Sequence, residues 1–192
     1  MPKDDFRFNP DRIAYLEATG WRAYYDRDWV KLLRLVVELC QEQFRIPFPV
    51  SLFAAYYVTR AAAAWAPIDH DAKKVLHYYE RFYRIAARHS GLAFDPARVA
   101  ELELRYNDDH RRLVGKEDKT EFIQTMVELH SVVFDITPEA AQESAERRVQ
   151  ANNVVDRITG KLSTDPESDW RLIEDELRAC YRSIQAALGA KE

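Results

Sequence analysis

A set of polar side chains falls where helical periodicity places apolar ones, and their types suit ligand binding and proton transfer. Over residues 96–114, Val99, Leu102, Tyr106 and Leu113 form one stripe when projected as a helix. Glu103 and His110 lie inside that stripe, two turns apart on one face. Over 119–135 the stripe is Phe122, Ile123, Met126, Leu129 and Val133, with His130 among them, while Glu121 and Glu128 face away. Over 138–159 the face of Ala141, Ala145 and Val149 also carries Arg148, Asn152 and Asp156, spaced four apart as a ridge. Arg60 is the single charge in SLFAAYYVTRAAAAWAP, residues 51–67. An arginine clamps an anionic group, histidine beside carboxylate exchanges protons, and tyrosine and asparagine orient a ligand. The candidate ligand-binding set is therefore Arg60, Glu103, Tyr106, His110, His130, Arg148, Asn152 and Asp156, and Gln43 also falls on the apolar side of its helix.

A buried guanidinium needs a carboxylate, because an unpaired buried charge costs several kcal/mol. Glu103 and Asp156 read as the acids on inward faces. The expectation is that Arg60 is mostly buried, meets one of them, and has His110 or His130 nearby. Each residue also has a purely structural reading. A histidine on an apolar face is satisfied by a carbonyl or a tyrosine. Arg148 and Asp156 pair within their helix across Asn152. Arg60 extends its stem over apolar surface into water.

Three function classes follow. The first is a small-molecule-binding protein or enzyme with an internal polar pocket. The second is a helical interaction module or homodimer, in which the polar cluster is structural. The third is a metal- or haem-binding bundle with His110, His130 and Glu103 or Asp156 as ligands, weakened by the lack of ligand pairs one turn apart. The sequence names no cofactor, no dedicated metal site and no catalytic residue. HExxH, Glu-x-x-His, GxGxxG, Walker and GxSxG patterns are absent. NDDHRR at 107–112 begins like the aspartate-rich motif of helical isoprenoid synthases, but the later aspartate is missing, and Asp108 and Asp109 fall off the apolar face.

The elements that must position these residues are punctuated clearly. Five glycines, at 20, 91, 115, 160 and 189, stand where apolar periodicity stops, the usual place for a helix C′ residue. Asn9-Pro10, Asp95-Pro96, Thr137-Pro138 and Asp165-Pro166 each read as an N-cap followed by proline in the first turn. The spacing predicts helices over 10–19, 28–45, 50–66, 71–90, 96–114, 119–135, 138–159 and 166–188, with a short extra turn at 21–27. No stretch alternates with strand period. The expected fold is all-α: a single domain over 1–192, an antiparallel bundle of about eight helices.

Composition narrows the partners. With 192 residues, 47% hydrophobic and 12% aromatic, the chain can bury a full core. A net charge of −4 and the absence of a basic run argue against nucleic-acid binding. Cys40 and Cys180 match no disulfide or zinc spacing and read as buried free thiols. The polar start MPKDDFRFNP is neither signal peptide nor anchor, and the greasy stretch at 51–67 is too short to span a bilayer. A cytoplasmic protein, possible homodimer, with a small-molecule ligand and no membrane contact is expected.

Overall fold

The computed structural model describes residues 6–190. The first five residues of the polar N-terminal stretch lie outside them. Eight helices and no strand occur among the described residues: α1 Pro10–Tyr25, α2 Trp29–Phe44, α3 Val50–Trp65, α4 Ala72–Ser90, α5 Pro96–Leu113, α6 Thr120–Phe134, α7 Pro138–Thr159 and α8 Pro166–Gly189. The all-α bundle expected from periodicity is the one observed.

The starts follow from capping chemistry. Asn9, Asp95, Thr137 and Asp165 each accept first-turn backbone N–H groups with their side chains, and a proline follows each. Two of the stops follow from glycine: Gly91 at φ 77° and Gly115 at φ 72° adopt the left-handed conformation that side chains resist. Gly20 departs from the expectation. It lies inside α1, which absorbs the turn expected at 21–27 and runs on to Tyr25. Gly20 is buried and faces Leu32 of α2, so here glycine makes room rather than ending a helix.

Each helix packs on the next in sequence, and α8 packs back on α1, so the eight form a closed ring. The seam is antiparallel: Asp11 near the start of α1 pairs with Arg182 late in α8, and Arg22 near its end with Glu167 at the start of α8. The main core draws residues from every helix, and a second cluster around Ile173 and Leu177 fills the angle between α1, α7 and α8. Inside the ring α2 also touches α4, where Phe44 meets Phe82 edge-on at 5.8 Å. Cys40 and Cys180 are buried and unpaired.

α3 is the least enclosed helix. Its fully buried residues are small, namely Ser51, Ala54, Ala55 and Ala61. They form the stripe that lets its backbone lie close to its neighbours, while Leu52, Phe53 and Tyr56 remain exposed. This overturns the expectation for Arg60. Arg60 is exposed, with its guanidinium 5.3 Å from the Tyr78 ring centre and Nη2 donating to the Tyr78 hydroxyl at 3.2 Å. It meets neither Glu103 nor Asp156. The cause is that alanine counts as apolar in any periodicity yet buries little, so a helix apolar all round need not be buried all round.

Candidate functional site

The buried arginine of this chain is Arg148, in the middle of α7. Its side chain is 14% exposed, and its Nη2 lies 2.6 Å from Glu17 Oε1 on α1. The Tyr181 hydroxyl on α8 donates to the other Glu17 oxygen at 2.7 Å. Arg148 Nη1 reaches the same hydroxyl only at 3.4 Å, and its Nε–H has no partner. The guanidinium lies 5.0 Å from the Trp21 ring centre and 5.8 Å from that of Tyr106. Burial opposes the Arg148 charge, but Glu17 and the neighbouring Tyr106 and Tyr181 hold it well above its ordinary pKa.

Glu103 on α5 faces the same space. Its Oε2 accepts from the Tyr83 hydroxyl at 2.8 Å. Burial pushes its carboxyl above the usual range; Tyr83 and Arg148 pull it back, and Glu17 adds to the rise. One turn on, the Asn152 amide donates to the Tyr106 hydroxyl at 2.9 Å and to the Arg148 carbonyl at 2.9 Å. His130 on α6 has Nδ1 2.8 Å from Ser144 Oγ, and the Ser144 hydroxyl donates to the Ala141 carbonyl. The shared bond therefore requires the proton on Nδ1, leaving Nε2 as the acceptor. Burial, then Arg148, push His130 down to about 3, so the ring is neutral at physiological pH.

These groups form the floor of a pocket. An inner chamber of about 70 Å³ is lined by Gln43, Glu103, Tyr106, His130, Arg148 and Tyr181 among others. It shares Gln43, Phe44, Tyr83, Glu103, Arg148 and Tyr181 with a larger pocket of about 570 Å³. The walls of that larger pocket are apolar: Leu16, Trp21, Leu32, Val36 and Leu39 from α1 and α2, and Val58, Ala62 and Ala63 from α3. Every helix except α3 contributes a residue to the polar floor, and α3 supplies one side of the wall. The size falls within the ~300–1,000 Å³ typical of small-molecule sites, and the mix of apolar wall and few polar groups is the usual composition.

Of the residues singled out from sequence, Glu103, Tyr106, His130 and Arg148 line this space, and Asn152 holds Tyr106 from behind. His110 and Asp156 form a separate pair one turn further along α5 and α7, with Nε2 2.9 Å from Oδ1. The His110 ring stacks on Phe122 at 5.6 Å, and Asp156 Oδ2 is buried without a partner. Arg148 pairs with Glu17, not with Asp156 along its own helix. Arg60 lies apart on the outer face. Among the described residues, no three His, Cys, Asp or Glu side chains are placed to hold a metal ion.

Glu17, Tyr83 and Tyr181 are floor residues that sequence reasoning missed. Glu17 stands four residues after Ile13, on the apolar face of α1, so the signal was present in the helix that the Gly20 reading cut short. Asp109 is a further correction: it is 6% exposed and accepts from Thr125 Oγ1 and Arg112 Nη2, both at 2.7 Å. α5 packs against α4 on one side and α6 on the other, so its buried arc is wider than its apolar stripe.

Fold and site together define a closed ring of helices around a lopsided pocket, apolar toward α2 and α3 and polar at its centre. Comparison of the chain with protein-family models, curated proteins and solved structures finds no match. Among the described residues, no helix is long and apolar enough to cross a membrane.

Proposed function

We propose that this protein binds an apolar small molecule between α1, α2, α3 and α4, with the ligand's polar end against Glu103, Arg148 and Gln43. One observation carries the reading: an apolar pocket of about 570 Å³ ends on a buried, charged and only partly satisfied floor. A floor serving only to fix packing would have its groups consumed by one another. Here the Gln43 side chain makes no hydrogen bond to another described residue, and of the Glu103 oxygens only Oε2 is bonded, by Tyr83. Binding is better supported than catalysis. The Ser144 hydroxyl is committed to a carbonyl, so His130 does not activate it as a nucleophile. The buried free thiols fit a reducing compartment, and the cytoplasm is the proposed location.

The test uses the neutral fluorophore Nile red with the parent protein and the Gly20→Leu variant. Gly20 lines the pocket, and a Cβ there meets only Leu32 Cδ1, at 3.9 Å, so leucine fills the cavity from within. Saturable binding at one site, lost in the variant, is expected. Equal binding by both proteins rejects the pocket as the site.

A second reading rests on a different surface. Val30, Leu33, Phe48, Phe53 and Tyr56, none of them lining the pocket, are exposed on and between α2 and α3, and exposed apolar side chains of this kind suit a second copy or a helical partner. A monomer by light scattering at high concentration counts against the homodimer.

A further inference from the structure

The floor's charges limit what the ligand's polar end can be. Glu17 and Glu103 stand against one guanidinium, Arg148, with His130 neutral. An anionic end is pushed away by two acids whose single cation is already engaged. A cationic end faces Arg148 across a space of about 70 Å³. Either charge also loses its hydration on entering, with no dedicated partner to offset that loss. The unused groups are of both kinds: Glu103 Oε1 accepts, while the Gln43 amide both donates and accepts. Arg148 Nη1, whose one bond is long, adds a donor.

A hydroxyl is the smallest neutral group that gives one hydrogen bond and takes another. Resting on the pocket reading above, we infer that the ligand is an uncharged apolar molecule ending in a hydroxyl, which donates to Glu103 and accepts from Gln43 or Arg148. The apolar body lies along Leu32, Val36, Leu39 and the alanines of α3. Burial of that body supplies the affinity, and the end group supplies the selection.

Three probes with the same tail isolate the end group: decan-1-ol, decanoate and decylamine, each titrated by calorimetry at neutral pH. Decan-1-ol is expected to bind at least about tenfold more tightly than either ion, a difference of ~1.4 kcal/mol. In Glu103→Gln one negative charge is removed, and the charged acceptor becomes a neutral amide with one acceptor oxygen and a donor NH2. Decanoate binding is expected to strengthen about tenfold there, and decan-1-ol binding to weaken about tenfold, because its hydroxyl loses a charged acceptor; alcohol binding unchanged in this variant overturns Glu103 as the acceptor. Decanoate or decylamine binding the parent as tightly as the alcohol overturns the inference and leaves the pocket standing. Failure of all three probes overturns the pocket reading, and this inference with it.

Discussion

The Tyr181 hydroxyl lies 2.7 Å from the carboxylate of Glu17, across 164 residues of sequence, and donates to it where α8 closes against α1. Through Glu17 the same contact fixes Arg148, so one hydrogen bond at the seam orients the charge at the centre of the ring.

Arg148→Met removes the cation and strands Glu17 in the interior. Stability at neutral pH is expected to fall by about 3–5 kcal/mol, measured by urea unfolding. Adding Glu17→Gln should recover part of that loss, because members of one network do not add. A double mutant as unstable as the sum of the singles would show that Tyr181 alone satisfies Glu17.

Glu103 makes stability depend on pH with a definite sign. Its folded pKa is raised above the ordinary 4.5, so the folded state binds the proton more tightly than the unfolded chain. Stability from this group is therefore greatest below the unfolded value and declines as pH rises from 4.5 toward the folded value. In Glu103→Gln that decline is expected to disappear. An unchanged pH profile in the variant rejects the assignment.

His130 acts in the opposite direction. Its pKa falls from 6.5 to about 3 on folding, so its contribution is complete above 6.5 and is lost as pH drops through that window toward 3. The slopes of His130 and Glu103 oppose one another in overlapping ranges, and the parent profile alone masks both. Nitrogen NMR of the imidazole separates them. The ring should remain neutral, with the proton on Nδ1, down to roughly pH 5. A midpoint near the ordinary histidine value contradicts the buried arrangement.

Gly20→Ala should stabilise α1 by about 0.5–1 kcal/mol, since the site is helical and glycine is a poor helix residue. The nearest atom to the added methyl is 3.9 Å away, so no clash offsets the gain. A lower unfolding midpoint would mean that the backbone there needs freedom the helix does not reveal.

Arg60→Ala should leave the unfolding midpoint and Nile red binding unchanged, because Arg60 is exposed on the outer face and its hydrogen bond goes to Tyr78, away from the pocket. A clear loss of either places Arg60 back in the site.

The fold was legible because local signals agreed with one another. Asn9, Asp95, Thr137 and Asp165 cap, their prolines start, and Gly91 stops, each independently of packing. The site was legible only in part. Glu103, His130 and Arg148 betray themselves as polar residues in apolar stripes, and the pocket does gather them. Their partners were not legible, because periodicity gives the face of a helix but not the element opposite. Arg148 could not be matched to Glu17 before α8 was known to pack beside α1. Arg60 misled for the converse reason: its alanine-rich surroundings are apolar in kind yet open to water.

Ring closure also constrains how the chain acquires its fold. Most neighbours in the ring are adjacent in sequence, so pairs such as α4–α5 and α5–α6 can form over short loops at little entropic cost. The α8–α1 seam is the exception, with 164 residues between Tyr181 and Glu17 and 171 between Arg182 and Asp11. During synthesis, α1 through α7 emerge with Glu17 and Arg148 lacking the Tyr181 hydroxyl and with one side of the core open. Docking of α8 is therefore the step of highest contact order, and the polar floor becomes complete only when it occurs.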